Sequence, residues 1–541
     1  MFEWTMIVEY AGVALGAAVL YALCAGRSLG ALQQAGYNGS KYAAWVRRKG
    51  NMVRSRGTLL AFLIALSSLV LGICFSFAGE WAAYVALFPV PLFCILFCVA
   101  DRRALKVPLV RTARAKRILA LDFFLLLLAA AALVLGANAL YRLVWPQVGL
   151  VGHLRYLPLA VLPLLFPEIL RLANALEKPF SSAKNRRYLA AAKKKLLAAP
   201  CVKIGITGSC GKTSVKNFLA GILGGRYRVF ATPASYNTPL GIAKAIEDVD
   251  LTQYDYFIAE MGARHKGDIA ELCELVRPDH CIVTGICPQH LETFGTVEGI
   301  VAAKGEILRG TKPGGFAVIG QDEYTARLDP AAAGLKKVAV GEHGEFGAFD
   351  VHCSPAGIEF KLAMGILQMP VRSRLLGAHN AQNIALAAAL ASKLGVEKEE
   401  IASAVAGLDF VPHRLQPLEA GGVVVLDDAY NANVRGAAAA LDVLRLFGGR
   451  KFVVTPGLVE LGVLEESENA ALGERMVGLD RILLVGSTLV TAVRKGYLAA
   501  GGIEERVSVH PTLDAAKEAL AQELMPGDTV LFLNDLPDIY N

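Results

Sequence analysis

The sequence predicts a multi-domain protein, in which an α-helical transmembrane region precedes two α/β domains. The 541 residues are 54% hydrophobic and 19% charged, so the chain is too long for one domain and too apolar for an ordinary soluble protein. Apolar runs dominate up to about Leu176, and strand-like segments alternate with helical ones after it. We expect a transmembrane region at 1–178, a central P-loop domain with a parallel sheet at 179–411, and a Rossmann-like domain at 412–541.

Five apolar stretches are long enough to cross a bilayer core of about 30 Å, which takes roughly 20 helical residues. They are Trp4–Cys24, Thr58–Ala78, Trp81–Val99, Ile118–Leu140 and Tyr156–Leu172. The first has no basic start and carries Glu3 and Glu9, so we interpret it as a retained span rather than a signal peptide. The fifth contains Pro158, Pro163 and Pro167, which interrupt helical hydrogen bonding. A re-entrant or interfacial helix is the alternative there.

Lysine and arginine predict the orientation of these spans. Basic residues follow the first, third and fifth spans, whereas the Gly79–Glu80 and Tyr141–Arg155 connections are short and poor in them. Because basic loops remain on the cytoplasmic side, we expect an external N-terminus and a cytosolic C-terminal part. The net charge of +7 then reflects topology and attraction to anionic lipid. It gives no reason to expect a nucleic-acid partner.

The segment "GITGSCGKTS", from Gly205 to Ser214, predicts a phosphate-binding loop. It follows an apolar run and precedes the helical "TSVKNFLAGIL". The strict pattern G-x-x-x-x-G-K-[ST] needs a glycine at position 206, which is Ile206 here, so the loop is a variant. Backbone N–H groups at the start of a helix still face phosphate oxygens. Lys212 would reach the β/γ oxygens and Thr213 would hold Mg²⁺. The alternative is a glycine-rich turn that binds nothing.

Two further strands point to ligands at the same edge of the sheet. Tyr256–Ala259 and Cys281–Thr284 have the continuous apolar composition of buried parallel strands. Glu260 and His290 follow them, at or beyond the carboxyl edge where open α/β sheets bind ligands. We expect these two side chains to ligate a metal ion. The alternatives are a surface glutamate and a structural histidine.

From about Val411 the sequence predicts a second α/β domain. Its apolar segments alternate with helical segments, which is typical of a Rossmann-like sheet. These segments are Val423–Leu426, Phe452–Val454, Ile482–Val485, Val507–Val509 and Thr529–Leu533.

Six motifs, in order, resemble those of the Mur ligases, closest to the MurF kind that adds D-Ala-D-Ala to a muramoyl tripeptide. They are "GITGSCGKTS", "AEMGARHKGDIAEL", "PQHLETFGTVEGIVAAKGEI", "LLGAHNAQNIALAAALA", "PHRLQPLE" and "VLDDAYNANVRGAAAAL". The resemblance covers about Lys203–Ala439 well and continues more weakly to the C-terminus. It implies an ATP- and Mg²⁺-dependent amide ligase of peptidoglycan synthesis, with its ligase domains on the cytosolic side of a bacterial cytoplasmic membrane.

The resemblance also implies roles for matching residues. Lys304 in "AKGE" matches a lysine that is carbamylated in several members and then holds a second Mg²⁺. Carbamylation requires a neutral amine, and hence a pKa lowered by burial or nearby cations. The alternative is a helix-surface lysine paired with Glu306 or Glu298. The implied site residues are Gly208, Gly211, Lys212, Thr213 and Ser214 of the phosphate loop, the metal ligands Glu260 and His290, the adenine contacts Asn380 and Asn383, the phosphate-binding Arg414, and the ribose-binding Asp427, with Asp428 as its competitor.

The implied chemistry gathers negative charge in two steps. A carboxylate attacks the γ-phosphorus of ATP to give an acyl phosphate and ADP, and an amine then displaces phosphate. Lys212, Arg414 and two Mg²⁺ ions would stabilise this charge. The catalytic residues implied are therefore Lys212, Lys304, His290 and Arg414, and closure of the C-terminal domain would exclude water.

The sequence departs from the MurF pattern at both ends. A histidine is usual after the "ELG" segment, whereas "VELGVLEESENAALG" has Asn469 nearby, and "LFLNDLPDIYN" replaces a "KGSR"-like segment. These departures leave the identity of the amine open. Spans and the basic segment Phe180–Pro200 occupy the place of a soluble UDP-substrate domain. The acceptor is then UDP-linked, or undecaprenyl-linked, or presented by membrane proteins of wall synthesis. The spans bind it or only anchor the enzyme.

Three other functions remain open from the sequence. One is a poly-γ-glutamate synthase of the same superfamily, which shares the ATP site. Another is a membrane scaffold that binds nucleotide without ligase activity. A transporter is less favoured, because Glu9 and Asp122 are the main ionisable groups within the predicted spans.

Overall fold

The computed structural model describes residues 2–47, 53–75, 77, 81–100, 109–144, 155–289, 291–330, 333–430, 432–487 and 489–534. The chain forms two compact units, of which the first extends to Lys184 and the second begins at Asn185. His290, the Gly79–Glu80 connection and the last residues of the "LFLNDLPDIYN" motif lie outside the described residues.

The first unit is helical. Its helices are α1 (Phe2–Cys24), α2 (Gly26–Gln34), α3 (Gly39–Arg47), α4 (Val53–Cys74), α5 (Trp81–Leu87), α6 (Pro89–Ala100), α7 (Ala113–Val144) and α8 (Leu162–Ala198), the last of which ends in the second unit.

Four helical segments of the described chain are long and apolar enough to cross a membrane. They are Ile7–Cys24, Gly57–Cys74, Ala113–Leu143 and Leu157–Ala198. The third predicted span differs from the expectation, since it forms the two helices α5 and α6 and contributes only the shorter apolar segment Trp81–Phe93. Pro89, which has no amide N–H and suits the first position of a helix, begins the second of them.

The fifth predicted span forms a longer helix than expected. A 3₁₀ turn at Leu157–Val161 leads into α8, which contains Pro167 and Pro179 and continues through the basic segment to Ala198. Pro163 is the second residue of this helix, where an amide N–H has no intrahelical partner to lose.

Buried charge in the first unit is paired at two places and unpaired at a third. The carboxylate of Glu177 contacts Arg114 at 3.0 Å and Arg117 at 2.7 Å, and Glu9 contacts Arg155 at 2.9 Å. Asp122 is fully buried, and neither of its carboxylate oxygens has a hydrogen-bond partner in the described residues.

The second unit contains two sheets. Its strands are β1 (Val202–Thr207), β2 (Val229–Ala231), β3 (Tyr256–Glu260), β4 (His280–Val283), β5 (Phe316–Gly320), β6 (Lys336–Val340), β7 (Phe346–Ser354), β8 (Gly357–Met364), β9 (Leu367–Ser373), β10 (Gln416–Ala420), β11 (Val423–Asp428), β12 (Lys451–Thr455), β13 (Arg481–Val485), β14 (Val507–His510) and β15 (Thr529–Leu533). Its other helices are α9 (Lys212–Gly224), α10 (Pro239–Ala245), α11 (Asp268–Val276), α12 (Leu291–Phe294), α13 (Val297–Gly310), α14 (Ala378–Lys393), α15 (Lys398–Ala406), α16 (Val434–Leu446), α17 (Glu465–Glu474), α18 (Val490–Ala499) and α19 (Leu513–Glu523).

The first sheet has nine strands in the order β2-β3-β1-β4-β5-β6-β7-β8-β9. Its pairs are parallel up to β7, and β7, β8 and β9 are antiparallel. Alternate residues of β3 and β4 face opposite cores, with Ile258 and Ile282 in one and Phe257 and Cys281 in the other. Because β1 lies between β3 and β4, the loops that follow these three strands meet at one edge.

The second sheet has six strands in the order β10-β11-β15-β12-β13-β14. The five strands predicted for this domain are present and pair in parallel with one another. The sequence analysis missed β10, which pairs antiparallel with β11. Gly421 and Gly422, with φ of +60° and +78°, form the two-residue turn between them, a conformation that favours glycine at both positions.

Candidate active site

The loop after β1 depends on two glycines. Gly208 has φ of +149°, and a Cβ there would lie 2.0 Å from Thr284 Oγ1. Gly211 has φ of +78°, and a Cβ there would lie 2.5 Å from Asn383 Oδ1. Since neither position has room for a side chain, the loop backbone passes close to Thr284 and Asn383.

The loop leads into α9, whose start has no side-chain cap. The first amide N–H groups of a helix have no intrahelical partners and carry the positive end of its dipole, which suits an anion. Lys212 Nζ donates hydrogen bonds to the carbonyls of Gly208 at 2.7 Å and Ser209 at 3.2 Å. The lysine therefore folds back over the loop, and its charge lies beside the open amide groups.

Glu260, the last residue of β3, is 1% exposed and is held from two sides. Lys216 Nζ lies 3.3 Å from its Oε2, and Asn237 Nδ2 donates to its Oε1 at 3.0 Å. Burial lowers the pKa of Lys216, and the negative charge of Glu260 opposes that shift. The pair balances the cost of a buried carboxylate, so an anionic oxygen ligand is available next to the phosphate loop.

Lys304 on α13 is buried, with 3% of its surface exposed. Burial, with a contribution from the nearby charge of Lys212, lowers its pKa to about 7. Glu298 pairs instead with Arg327 at 3.1 Å, and Glu306 accepts hydrogen bonds from backbone amides near the start of α11 at 2.7 and 3.0 Å. The alternative of a helix-surface lysine is therefore wrong.

The two asparagines of "HNAQN" are neighbours on α14. Asn383 Nδ2 donates to Asn380 Oδ1 at 3.2 Å, and Asn380 Nδ2 donates to the carbonyl of Leu376 at 2.8 Å. Both side chains are buried, and Asn383 is also the neighbour that limits the space at Gly211. Their amides thus lie directly beside the phosphate loop.

Arg414 and the two aspartates belong to the C-terminal domain. Arg414 Nη1 donates to the carbonyl of Tyr430 at 2.6 Å, and its guanidinium lies 4.7 Å from the centroid of the Tyr430 ring. Asp427 Oδ2 lies 2.7 Å from His413 Nδ1. Asp428 lines the cleft described below, and burial raises its pKa to about 6. The structure therefore directs Asp427 to His413 and leaves Asp428 facing the candidate nucleotide site.

These side chains surround one cleft of about 1100 Å³. Of the residues implied by the sequence, Asp427 does not line it and His290 is outside the described residues. The others line it together, namely Gly208, Gly211, Lys212, Thr213, Ser214, Glu260, Lys304, Asn380, Asn383 and Arg414.

The donors in the cleft fit Mg²⁺ held jointly with phosphate. No cluster of three or more histidine, cysteine or acidic side chains suited to a metal occurs in the described residues. Mg²⁺ does not need one, because it takes one or two carboxylates together with substrate phosphates and water. The Thr213 hydroxyl and the Glu260 carboxylate are the ligands that the cleft offers next to the phosphate loop.

Sequence reasoning missed Lys216, which pairs with the cleft residue Glu260, and several residues that line the cleft. Lys216 lies one helical turn after Lys212, and that spacing on the helix was the available signal. Asn237 and Ser235 lie between β2 and α10, and Ser235 Oγ is 2.5 Å from the Tyr430 hydroxyl. Arg435 also lines the cleft. The partners of these residues are distant in sequence, so no local pattern shows them.

Comparison with known proteins identifies both domains of the second unit. Residues 206–391 match the Mur ligase middle domain, and residues 413–534 match the Mur ligase glutamate ligase domain. The chain is 35% identical over 295 residues to the UDP-N-acetylmuramoyl-tripeptide–D-alanyl-D-alanine ligase of Escherichia coli, a match that spans 53% of this chain and 65% of that protein. It is 33% identical over 367 residues to the enzyme of the same name from Mycobacterium bovis, spanning 62% and 71%.

A solved structure shows the same relationship. The chain is similar to the MurF ligase of Thermotoga maritima in complex with ADP, with a TM-score of 0.58, 27% identity, and coverage of 65% of this chain and 80% of that one. The chain therefore belongs to the Mur ligase family, and relatives of the MurF type are among those it resembles in sequence and structure.

Proposed function

We propose that the protein is an ATP- and Mg²⁺-dependent amide ligase of the MurF type, which adds D-Ala-D-Ala or a similar amine to a muramoyl-peptide precursor of peptidoglycan. The observation that carries this proposal is the meeting of Lys212, Glu260 and Lys304 with the phosphate loop in one cleft. Burying charged groups costs free energy, and clusters of such groups with shifted pKa values are typical of functional sites. The adenine side of the site would be formed by Asn380 and Asn383.

The reaction proceeds through two displacements at the cleft. An oxygen of the acceptor carboxylate forms a bond to the γ-phosphorus, and the bond to the β-phosphate oxygen breaks as ADP leaves. The amine nitrogen then bonds to the acyl carbon and loses a proton to water, and the bond between that carbon and the phosphate oxygen breaks as inorganic phosphate leaves. Lys212 and the loop amides stabilise the phosphate charge, and Arg414 approaches from the C-terminal domain.

Mg²⁺, when bound through Thr213 and Glu260, supplies charge neutralisation at the transferred phosphoryl group. Lys216 and Asn237 orient the Glu260 carboxylate for this role, because each contacts one of its oxygens. Ser235 and Tyr430 join the central and C-terminal domains at the cleft. Their contact helps to keep water from the acyl phosphate.

Carbamylation of Lys304 is part of the proposal. Its neutral nitrogen would attack carbon dioxide, a C–N bond would form, and loss of a proton would leave an anionic carbamate beside Lys212. Two observations support this step, namely the burial of Lys304 and its pKa near 7. The resulting oxygens would be further ligands for Mg²⁺.

The apolar helices of the first unit would anchor the ligase in the bacterial cytoplasmic membrane, with the cleft in the cytosol. Four segments of suitable length and composition support this part of the proposal. Confinement to the bilayer raises the effective concentration of a lipid-linked acceptor. An undecaprenyl-linked muramoyl peptide is therefore a candidate beside the UDP-linked one.

The test is phosphate release and product mass from the full chain in detergent. The protein receives ATP, Mg²⁺ and D-Ala-D-Ala with either the UDP-linked or the undecaprenyl-linked muramoyl tripeptide. Turnover of either acceptor supports the ligase, and turnover of the lipid form alone assigns acceptor binding to the spans. Nucleotide binding without turnover of either would favour the scaffold, and long products from free glutamate would favour a poly-γ-glutamate synthase.

A further inference from the structure

Two cysteines lie where the phosphate loop meets the segment after β4. Cys210 is between the two loop glycines, and Cys287 is in the neighbouring segment. The two thiols are neighbours, since each shifts the pKa of the other and a Cβ at Gly285 would lie 3.9 Å from Cys210 Sγ; both thiols are free. The backbone joins the segments at the same place, since the Ser209 amide donates to the Gly285 carbonyl at 2.8 Å and Ser209 Oγ donates to the Cys287 carbonyl at 3.1 Å.

The two thiols differ in access and in charge. Cys210 lines the cleft and is partly exposed, whereas Cys287 is 3% exposed. The hydrogen bond from Cys287 lowers the pKa of Cys210, and the positive charges of Lys212 and Arg435 lower it further. The same hydrogen bond, together with burial, raises the pKa of Cys287. Cys210 is thus the accessible nucleophile and Cys287 the thiol behind it.

We propose that Cys210 and Cys287 form an oxidation site for small peroxides, and that the resulting disulfide closes the phosphate loop to nucleotide. The effect on ligation rests on the proposed function, whereas the disulfide and its effect on nucleotide binding do not.

The chemistry balances with hydrogen peroxide as the oxidant. The Cys210 sulfur bonds to one peroxide oxygen and the O–O bond breaks. The other oxygen departs as water, and Cys210 becomes a sulfenic acid. The Cys287 sulfur then bonds to the Cys210 sulfur, the S–O bond breaks, and a second water leaves. The sulfur pair loses two electrons and the peroxide gains two. A dithiol reductant reverses the step.

The disulfide changes the loop because the two sulfurs must approach to about 2.05 Å. Cys210 is flanked by the constrained Gly208 and Gly211, and its carbonyl accepts a hydrogen bond from Thr284 Oγ1 at 2.5 Å. The loop therefore has little freedom to absorb the movement at one residue alone, and its amide groups shift with it. Misplacement by about 1 Å can lower turnover about 10²-fold.

Another pair of cysteines provides an internal control. Cys273 and Cys281 are also close enough to influence one another, but they are 3% and 0% exposed, and burial raises the pKa of each to about 12. We expect this pair to remain reduced under conditions that oxidise Cys210 and Cys287. Proximity alone would oxidise both pairs.

The experiment treats the full chain in detergent with hydrogen peroxide, alkylates the remaining thiols, and maps the cysteines by peptide mass. Mg²⁺–ADP binding is measured on the same samples. The expected result is a peptide linked through Cys210 and Cys287, alkylated Cys273 and Cys281, and at least about a tenfold loss of ADP affinity that dithiothreitol restores. Prior addition of Mg²⁺–ADP should slow the oxidation.

The variants Cys287→Ser and Cys287→Ala separate the disulfide from general damage. Each should bind ADP normally when reduced, form no cross-link, and trap Cys210 as a sulfenic acid that dimedone labels. A Cys210–Cys287 cross-link that leaves ADP affinity unchanged would overturn the proposal, as would oxidation of Cys273 and Cys281 in its place. Nucleotide binding tests the proposal even when ligation is silent, in which case only the proposed function fails.

Discussion

The two sheets of the second unit share a mostly parallel topology, yet the residues that follow their strands differ. In the nine-stranded sheet, β1 is followed by Lys212 and β3 ends at Glu260, which are charged groups that face the cleft. In the six-stranded sheet, β11 ends at Asp428, which also lines the cleft, whereas Asn469 and Asn534 lie at buried positions near the ends of β12 and β15. Both are neutral amides, with 0% and 6% of their surfaces exposed.

The two asparagines form hydrogen bonds to the loop after β12 and do not line the cleft. Asn469 Oδ1 accepts from the Leu458 amide at 2.8 Å, and its Nδ2 donates to the carbonyls of Leu458 and Glu465, both at 2.8 Å. Asn534 Nδ2 donates to the Gly457 carbonyl at 2.7 Å. All the polar atoms of the Asn469 side chain are therefore used internally. At these strand ends, charged side chains face the cleft, whereas the two asparagines are used in hydrogen bonds that hold the fold together.

The contrast between the two sheets would fail most clearly if Lys212 were not needed for turnover. Lys212→Ala removes the charge over the phosphate loop, and we expect turnover to fall about 10³-fold. Steady-state phosphate release measures the loss. Lys517→Ala, at an exposed lysine on α19, is the matched control and should retain full activity. Equal rates for the two variants would remove Lys212 from the mechanism.

Lys304 should have the next largest effect. Lys304→Ala would remove the proposed carbamate, and we expect turnover to fall about 10²-fold, with partial rescue by a short carboxylate such as acetate. Because burial lowers the Lys304 pKa to about 7, the neutral amine that captures carbon dioxide increases as pH rises through that value.

The proposed carbamate is tested directly by ¹³C NMR with labelled bicarbonate. The signal should grow between pH 6 and 8, consistent with a pKa of about 7, and should be absent from Lys304→Ala. A full signal in that variant would assign the carbamate to another amine.

Asp427 and Asp428 test how far the charged site extends into the C-terminal domain. Asp428 lines the cleft and Asp427 does not, so Asp428→Asn should raise the KM for ATP by about tenfold and Asp427→Asn by less. Burial raises the Asp428 pKa to about 6, and the KM of the unmodified protein should therefore rise as pH falls through that value. A larger rise in KM for Asp427→Asn than for Asp428→Asn would support Asp427 as the ribose-binding residue.

Asn469 should have the smallest effect on turnover. Asn469→Ala removes three hydrogen bonds and leaves a buried amide unpaired, which should lower the free energy of unfolding by about 2–3 kcal/mol. Turnover per folded molecule should stay within about twofold. Thermal unfolding and phosphate release on one sample separate the two quantities.

Two variants serve as controls for Asn469. Ser467→Ala removes one exposed hydrogen bond and should change stability little. Asn469→His introduces the residue usual in MurF enzymes and should destabilise without raising activity. A gain in activity would show that this position contacts the incoming amine.

The sequence was informative where a local pattern encodes the structure. The phosphate loop is encoded by its glycines and "GKTS", and the five strands of the C-terminal domain by continuous apolar segments. Family motifs pointed to Lys304 and the two asparagines of α14, and all three line the cleft. The break between α5 and α6 was missed because hydropathy alone does not register the effect of Pro89 on a helix.

Tertiary contacts account for the remaining differences. Asp427 and Asp428 are adjacent on one strand and so face opposite sides, and sequence alone could not decide which side faces the cleft. Lys216 is a buried partner of Glu260 because β3 lies next to β1. This contact depends on the order of the strands in the sheet, which no short stretch of sequence encodes.

The crowded glycines of the phosphate loop limit the mutational routes open to this gene. A side chain at position 211 would occupy the place of the Asn383 amide, and one at position 208 the place of the Thr284 hydroxyl. Single replacements there should be lost by selection before a compensating change can arise. The loop, Thr284 and Asn383 can therefore change only together. Few single substitutions would give resistance to an inhibitor that contacts all three.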